Sequence, residues 1–133
     1  MDPARPLAGQ TAIVTGAARG LGFAAAARLA AEGVGVALFD NDDEALAGAA
    51  ERLAAQGAQV KSHSVDVADE DGVREAVAAV LAARDRIDIL VNNAGIYPHH
   101  PFEALSYAEW RRILTINLDG VFLCTHAVYP AMR

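Results

Sequence analysis

The sequence predicts an α/β fold, a doubly wound parallel sheet with helices on both faces. Three observations predict it. Short apolar runs alternate four times with helix-length segments, the connections between them are brief, and the first apolar run passes straight into glycines that open a helix. At 133 residues the chain fits one domain with a real core, and residues 1–133 read as a single unit.

The elements follow in order. Residues 1–9 are a polar lead with two prolines. Residues 12–15 form a brief apolar run, as a strand buried on both faces does, and the glycine cluster behind it opens a helix that runs to about Ala31 and stops at Gly33. Residues 34–39 are a second buried strand, closed by Asp40. Residues 42–56 carry acids in the first turn and end at Gly57, which is helix punctuation at both ends. A third strand is expected over residues 59–67. The next helix, over 69–84, has Val73, Val77, Val80 and Leu81 on one side. Residues 87–91 make a fourth strand, which enters the turn Asn92-Asn93-Ala94-Gly95. A loop rich in Pro, Tyr and His (96–102) then leads to one long helix from about Ser106 to the end. Right-handed crossovers give the strand order 3-2-1-4, with the fourth strand at an edge.

Composition excludes several classes. The chain is 53% apolar and 21% charged, ordinary for a globular protein, and its formal charge is −6, from 17 acids against 11 bases. No basic cluster is present, so nucleic acid is not an expected partner. No apolar stretch is long enough to span a membrane, and the start has no signal-peptide pattern. One cysteine, Cys124, allows no intramolecular disulfide and points to a reducing, cytoplasmic setting. His99 and His100 are adjacent and face apart, with no further ligand set at metal spacing, so no metal site is expected.

The glycines stand at positions 16, 20 and 22. A tight turn needs a residue free to take positive φ, and a pyrophosphate needs backbone approach without a Cβ in the way. The helix that follows presents unpaired N–H groups and the positive end of its dipole to an anion. Close helix–sheet packing alone accounts for one of these glycines and leaves the other two unexplained. Strand, glycine turn and helix together predict a Rossmann-type dinucleotide site.

The spacing is Gly-x-x-x-Gly-x-Gly. Thr15-Gly16-Ala17-Ala18-Arg19-Gly20-Leu21-Gly22 resembles the fingerprint of the short-chain dehydrogenase/reductase family, Asn92-Asn93-Ala94-Gly95 its second signature and Asp66-Val67 a third. The resemblance runs from about Leu7 to Arg133. It implies an NAD(P)-dependent oxidoreductase that moves hydride between nicotinamide and an alcohol or carbonyl carbon, on a small-molecule substrate, in a homo-oligomer. It also implies cofactor contacts at Gly16, Arg19, Gly20, Leu21, Gly22, Asp66, Val67, Asn93, Ala94 and Gly95. Helix capping by Asp66 and simple turn formation by Asn93, Ala94 and Gly95 are compatible second roles.

Asp40 ends the second strand, where a carboxylate accepts hydrogen bonds from a ribose diol and repels a 2′-phosphate. NAD is therefore preferred over NADP, although Arg19 could attract such a phosphate. The competing role for Asp40 is that of a helix N-terminal acid, in the company of Asn41, Asp42, Asp43 and Glu44.

In the family a tyrosine acts as acid/base with a lysine four residues on, assisted by a serine and by an asparagine in the preceding long helix. Of these only the asparagine is matched, by Asn117. The only lysine is Lys61, with Gly57 four residues before it; Tyr97, Tyr107 and Tyr129 are followed at that spacing by Pro101, Arg111 and Arg133. Arginine does not substitute for lysine there. Asn117 has an ordinary alternative, satisfying backbone groups inside its helix. Trp110, Ile113, Leu114 and Leu118, at helical spacing, read as core or subunit interface.

The chain thus reads as a Rossmann-type sheet truncated after its fourth strand and following helix, the front half of such an oxidoreductase. Expressed alone it is expected to be sticky or poorly stable, because the apolar fourth strand would form an open edge. The alternatives are a non-catalytic dinucleotide-binding module or remnant, and an S-adenosylmethionine-dependent methyltransferase. The glycine spacing and Asn92-Asn93-Ala94-Gly95 speak against the methyltransferase.

Overall fold

A computed structural model describes residues 6–133; the start of the polar lead, residues 1–5 with Pro3, lies outside the described residues. Four strands and five α-helices follow in order: β1 (Thr11–Thr15), α1 (Gly20–Ala31), β2 (Gly35–Asp40), α2 (Asp43–Ala54), β3 (Val60–Ser64), α3 (Glu70–Arg84), β4 (Ile89–Val91), α4 (Tyr107–Leu114) and α5 (Gly120–Met132). All strand pairs are parallel and their order is β3-β2-β1-β4, as the sequence predicts.

Alternation along the strands divides the core in two. Ala12 and Val14 of β1, with Val36 and Leu38 of β2, face α1 and α2 and pack on Ala26, Leu46, Ala49 and Leu53. Ile13, Ala37 and Phe39 face the opposite way, onto Val73, Val77 and Val80 of α3 and Cys124 and Val128 of α5. Burial of both faces explains why β1 and β2 read as continuous apolar runs. Cys124 belongs to that second core, and burial pushes its thiol up to about 11, which makes it a packing residue.

Three of the differences from the sequence reading have a visible cause or bear on the cleft. β3 ends at Ser64 although the apolar pattern continues through Val67. Beyond it the Val65 N–H still donates to the Asp40 carbonyl, but Asp66 then turns the chain by accepting from the Ala68 N–H at 2.9 Å. β4 begins at Ile89, because Asp88 uses its carboxylate as well as its backbone to hold Thr11; Ile87 is core without being strand. The expected single long helix is interrupted. Between α4 and α5 lies one π-helical stretch, Thr115–Asp119, centred on Asn117.

Among the described residues, no helix is long and apolar enough to cross a membrane, and no group of three or more His, Cys, Asp or Glu side chains converges as a metal site would need.

Candidate functional site

The carboxyl ends of all four strands open into one cleft of about 670 Å³. It lies where the strand order reverses about β1, the position at which open α/β sheets bind ligands. Ten of the residues singled out from sequence line it: Gly16, Arg19, Gly20, Leu21, Asp40, Asp66, Val67, Asn93, Ala94 and Gly95. Gly22 and Asn117 stand behind its wall, although Ile116, beside Asn117, lines it.

The floor is a hydrogen-bonded latch between β1 and β4. The Thr15 hydroxyl is buried and accepts from the backbone N–H groups of Asn93 and Ala94, both at 3.0 Å. In return the Asn93 side-chain amide donates to the carbonyls of Thr15 and Gly16, each at 3.2 Å. Asn93 therefore ties the glycine turn to the end of β4. Sequence reasoning gave Thr15 no role of its own; its signal was a lone polar side chain closing an apolar strand.

The three glycines answer three different demands. At Gly22 a Cβ would lie 2.1 Å from the Gly16 carbonyl oxygen and 2.5 Å from the Asn93 amide nitrogen, so this is the glycine that permits close packing. Gly16 combines φ +62° with Ala94 Cα 3.0 Å from where its Cβ would stand. Gly20 also needs its positive φ, +56°, yet nothing lies within 4 Å of its missing Cβ: the space above it is open cleft. At this point α1 starts, with no side-chain cap and no acid in its first turn. α2 and α4, in contrast, are capped by Asp42 and Ser106 and carry acids there. The start of α1 therefore takes no side-chain cap, and its first N–H groups carry the positive end of the helix dipole into the cleft.

Asp40 is not the cap of α2. That role belongs to Asp42, which accepts from the Ala45 N–H at 3.0 Å. Asp40 instead faces the glycine turn: one carboxylate oxygen accepts from the Ala18 N–H at 3.0 Å, the other from the Asp42 N–H at 3.1 Å. Each oxygen keeps a lone pair for a further donor. Asp42 also forms an ion pair with Arg19. The Ala45 N–H and then the Arg19 guanidinium hold the Asp42 carboxyl below its ordinary value. Asp66 caps no helix either, since its side chain is spent on the turn before α3. Val67 turns its side chain into the core against Gly120.

On the far side, Asn117 holds the loop after β4. Its side-chain oxygen accepts from the Ile96 N–H at 2.8 Å and its amide donates to the Ile96 carbonyl at 2.6 Å. The alternative role read from sequence, satisfying backbone groups, is thus present, but the backbone is that of another segment. His99 and His100 do face apart: His99 lies against the Tyr97 ring, while the Nε2 of His100 is 2.8 Å from both carboxylate oxygens of Glu109. Trp110 and Leu118 are exposed and so are not core. Lys61 lies on edge strand β3, outside the cleft lining.

A four-stranded parallel sheet in this order, with an uncapped helix opening from a glycine turn, defines a Rossmann-type nucleotide-binding architecture. Comparison with known proteins agrees. The model of the short chain dehydrogenase family matches residues 10–133. D-threitol dehydrogenase of Mycolicibacterium smegmatis is 42% identical over 126 residues, covering 95% of this chain and 48% of that protein. The structure of a metagenomic short-chain oxidoreductase in complex with NADP superposes with a TM-score of 0.87 at 38% identity, covering 94% of this chain and 57% of the other. A short-chain dehydrogenase/reductase from Burkholderia phymatum in complex with NAD gives 0.90 at 32% identity, with 95% and 45% covered. The chain belongs to the short-chain dehydrogenase family, and it spans about half the length of the curated relatives it matches.

Proposed function

We propose that residues 1–133 act as a single NAD(P)-binding domain, taking a nicotinamide dinucleotide with its pyrophosphate on the start of α1. The observation that carries this reading is the open space over Gly20, at an uncapped helix N-terminus inside a cleft of sufficient size. Gly16, Arg19, Gly20 and Leu21 would meet the pyrophosphate side, with Gly22 admitting the helix behind them. Asp40 would take the ribose diol through its free lone pairs, Asp66 and Val67 would border the adenine, and Asn93, Ala94 and Gly95 would line the path toward the nicotinamide. The carboxylate at Asp40 favours NAD over NADP.

The bound dinucleotide supplies hydride exchange with an alcohol or carbonyl carbon of a small substrate, which is the role we propose for the whole protein. Asn117 is the family's matched catalytic position. Its side chain contributes by fixing Ile96 at the cleft wall. These 133 residues contain no Tyr-x-x-x-Lys, so turnover by that pair would need residues other than these, and that observation also supports reading the isolated chain as a dinucleotide-binding module without activity of its own. Exposed Trp110, Leu118, Phe122 and Tyr129 support assembly of the whole protein into a homo-oligomer.

Titration of the chain with NADH, followed by nicotinamide fluorescence, tests the proposal. Saturable binding in the micromolar range is expected. No saturation at millimolar NADH from a chain that melts cooperatively overturns it, and turnover of an alcohol by this chain alone overturns the reading as a module without activity.

A further inference from the structure

Arg19 and Asp42 stand immediately before two different helices, α1 and α2, and meet across the rim of the cleft beside Asp40. Three contacts close a ring there: the Arg19–Asp42 ion pair, the Asp42 N–H on Asp40 at 3.1 Å, and the Ala18 N–H on the other Asp40 oxygen at 3.0 Å. The pair is exposed, with the side chains 68% and 43% accessible, so the guanidinium is held by one partner and could be taken by another. The other cation lining the cleft, Arg112, comes from α4, which follows β4. Arg19 is therefore the cation beside the Asp40 carboxylate, where the ribose would lie.

We propose that Asp42 is a specificity-determining residue. By engaging Arg19 it withholds the guanidinium from a 2′-phosphate, so that discrimination against the phosphorylated ribose rests on Asp42 as well as on Asp40. This rests on the dinucleotide reading above. The physical reasoning is a competition for one guanidinium. A phosphate brings more charge than a carboxylate and matches the same planar fork, but to recruit Arg19 it must displace Asp42 and then lie beside the carboxylate it has displaced. Replacing Asp42 by Asn removes that repulsion and frees Arg19, while the Asn oxygen still accepts from the Ala45 N–H and keeps the cap of α2.

The experiment uses fragments that report the adenosine end alone. Dissociation constants for 5′-AMP and adenosine 2′,5′-bisphosphate are measured on the chain, on D42N, on R19A and on the double variant. Unchanged chain prefers 5′-AMP. D42N moves the ratio of the two constants toward the bisphosphate by about tenfold, and the double variant loses that gain, because it passes through Arg19. A merely structural role for Asp42 would weaken both ligands together and leave the ratio alone. If D42N does not fold, D42S retains a capping oxygen and takes its place. A ratio in D42N within about twofold of the unchanged chain, or a gain that persists without Arg19, overturns the inference. Failure of every form, the unchanged chain included, to bind either fragment overturns the dinucleotide reading instead, and the inference with it.

Discussion

Replacing Thr15 with Val keeps the shape of the side chain and removes only the hydroxyl at the centre of the latch. Thr15 is 1% exposed, so water cannot take over the lost bonds. The Asn93 N–H retains a partner in the Val91 carbonyl at 3.1 Å, whereas the Ala94 N–H loses the acceptor recorded for it. One orphaned donor costs about 1–3 kcal/mol, and the loss of the bond to Asn93 adds up to about 1 kcal/mol. Some of this is returned by the greater apolar character of Val, leaving a destabilisation of about 2–3 kcal/mol. Thr15→Ser is the informative partner, for it keeps the hydroxyl and deletes one packed methyl, at about 1 kcal/mol. Strand propensity and hydrophobicity both rank Val above Ser, so they predict the opposite order. Urea midpoints at unchanged slope decide between them. Thr15→Val matching the parent, or proving more stable than Thr15→Ser, would refute the latch as a stabilising addition to the β1–β4 ladder.

Two further predictions follow from single contacts. Gly22→Ala forces the Gly16 carbonyl to yield by more than an ångström and outweighs the gain in helix propensity, for a net loss of about 2 kcal/mol, whereas Gly48→Ala, in mid-α2 with nothing within 4 Å, stabilises by about 0.5–1 kcal/mol; thermal melts of the two variants should shift in opposite directions. His100 has an acceptor at each ring nitrogen, the Pro101 carbonyl at 3.1 Å and the Glu109 carboxylate at 2.8 Å, and a neutral ring can donate to only one of them. The Pro101 carbonyl and then Glu109 raise its pKa, so the clamp on loop 96–102 is complete below about pH 6.5 and is lost as pH rises through the elevated value. An NMR titration midpoint at or below 6.5, or one that Glu109→Gln leaves in place, contradicts this assignment.

The fold was legible because its signals are local. β1 and β2 are buried on both faces and therefore read as unbroken apolar runs; the glycine turn and the capped start of α2 are carried by consecutive residues. The misread boundaries have non-local causes. Val65 and Val67 continue the apolar pattern of a strand, but their side chains serve the α3/α5 core, and the ladder stops because Asp66 takes the Ala68 N–H. Nothing near Asn117 announces a π-helical stretch, since its partner Ile96 is 21 residues away. Among the neighbouring acids 40, 42, 43 and 44, composition could not tell which caps α2 and which faces the turn, because chain direction at the end of β2 decides it.

Three of the site's polar side chains share one property that bears on how it would bind. Asp40, Asn93 and Asn117 each touch the backbone of a different segment: the glycine turn for the first two, the loop after β4 for the third. Asn117 spends both ends of its amide in this way, and Asn93 donates to two carbonyls at once. Such groups are oriented before any ligand arrives, so the entropy of ordering them is already met within the fold. The exposed members of the rim include Leu21, at 83% accessible, Tyr97, at 73%, and the Arg19–Asp42 pair. Affinity should therefore follow from the rigid floor, which contacts the parts that all nicotinamide dinucleotides share. Discrimination should follow from Asp40 and the adjustable rim beside it, where the ribose of one differs from that of another. Substitutions at Thr15 and Asn93 in the floor will then lower binding of every dinucleotide together, whereas those at Asp40, Arg19 and Asp42 will redistribute it.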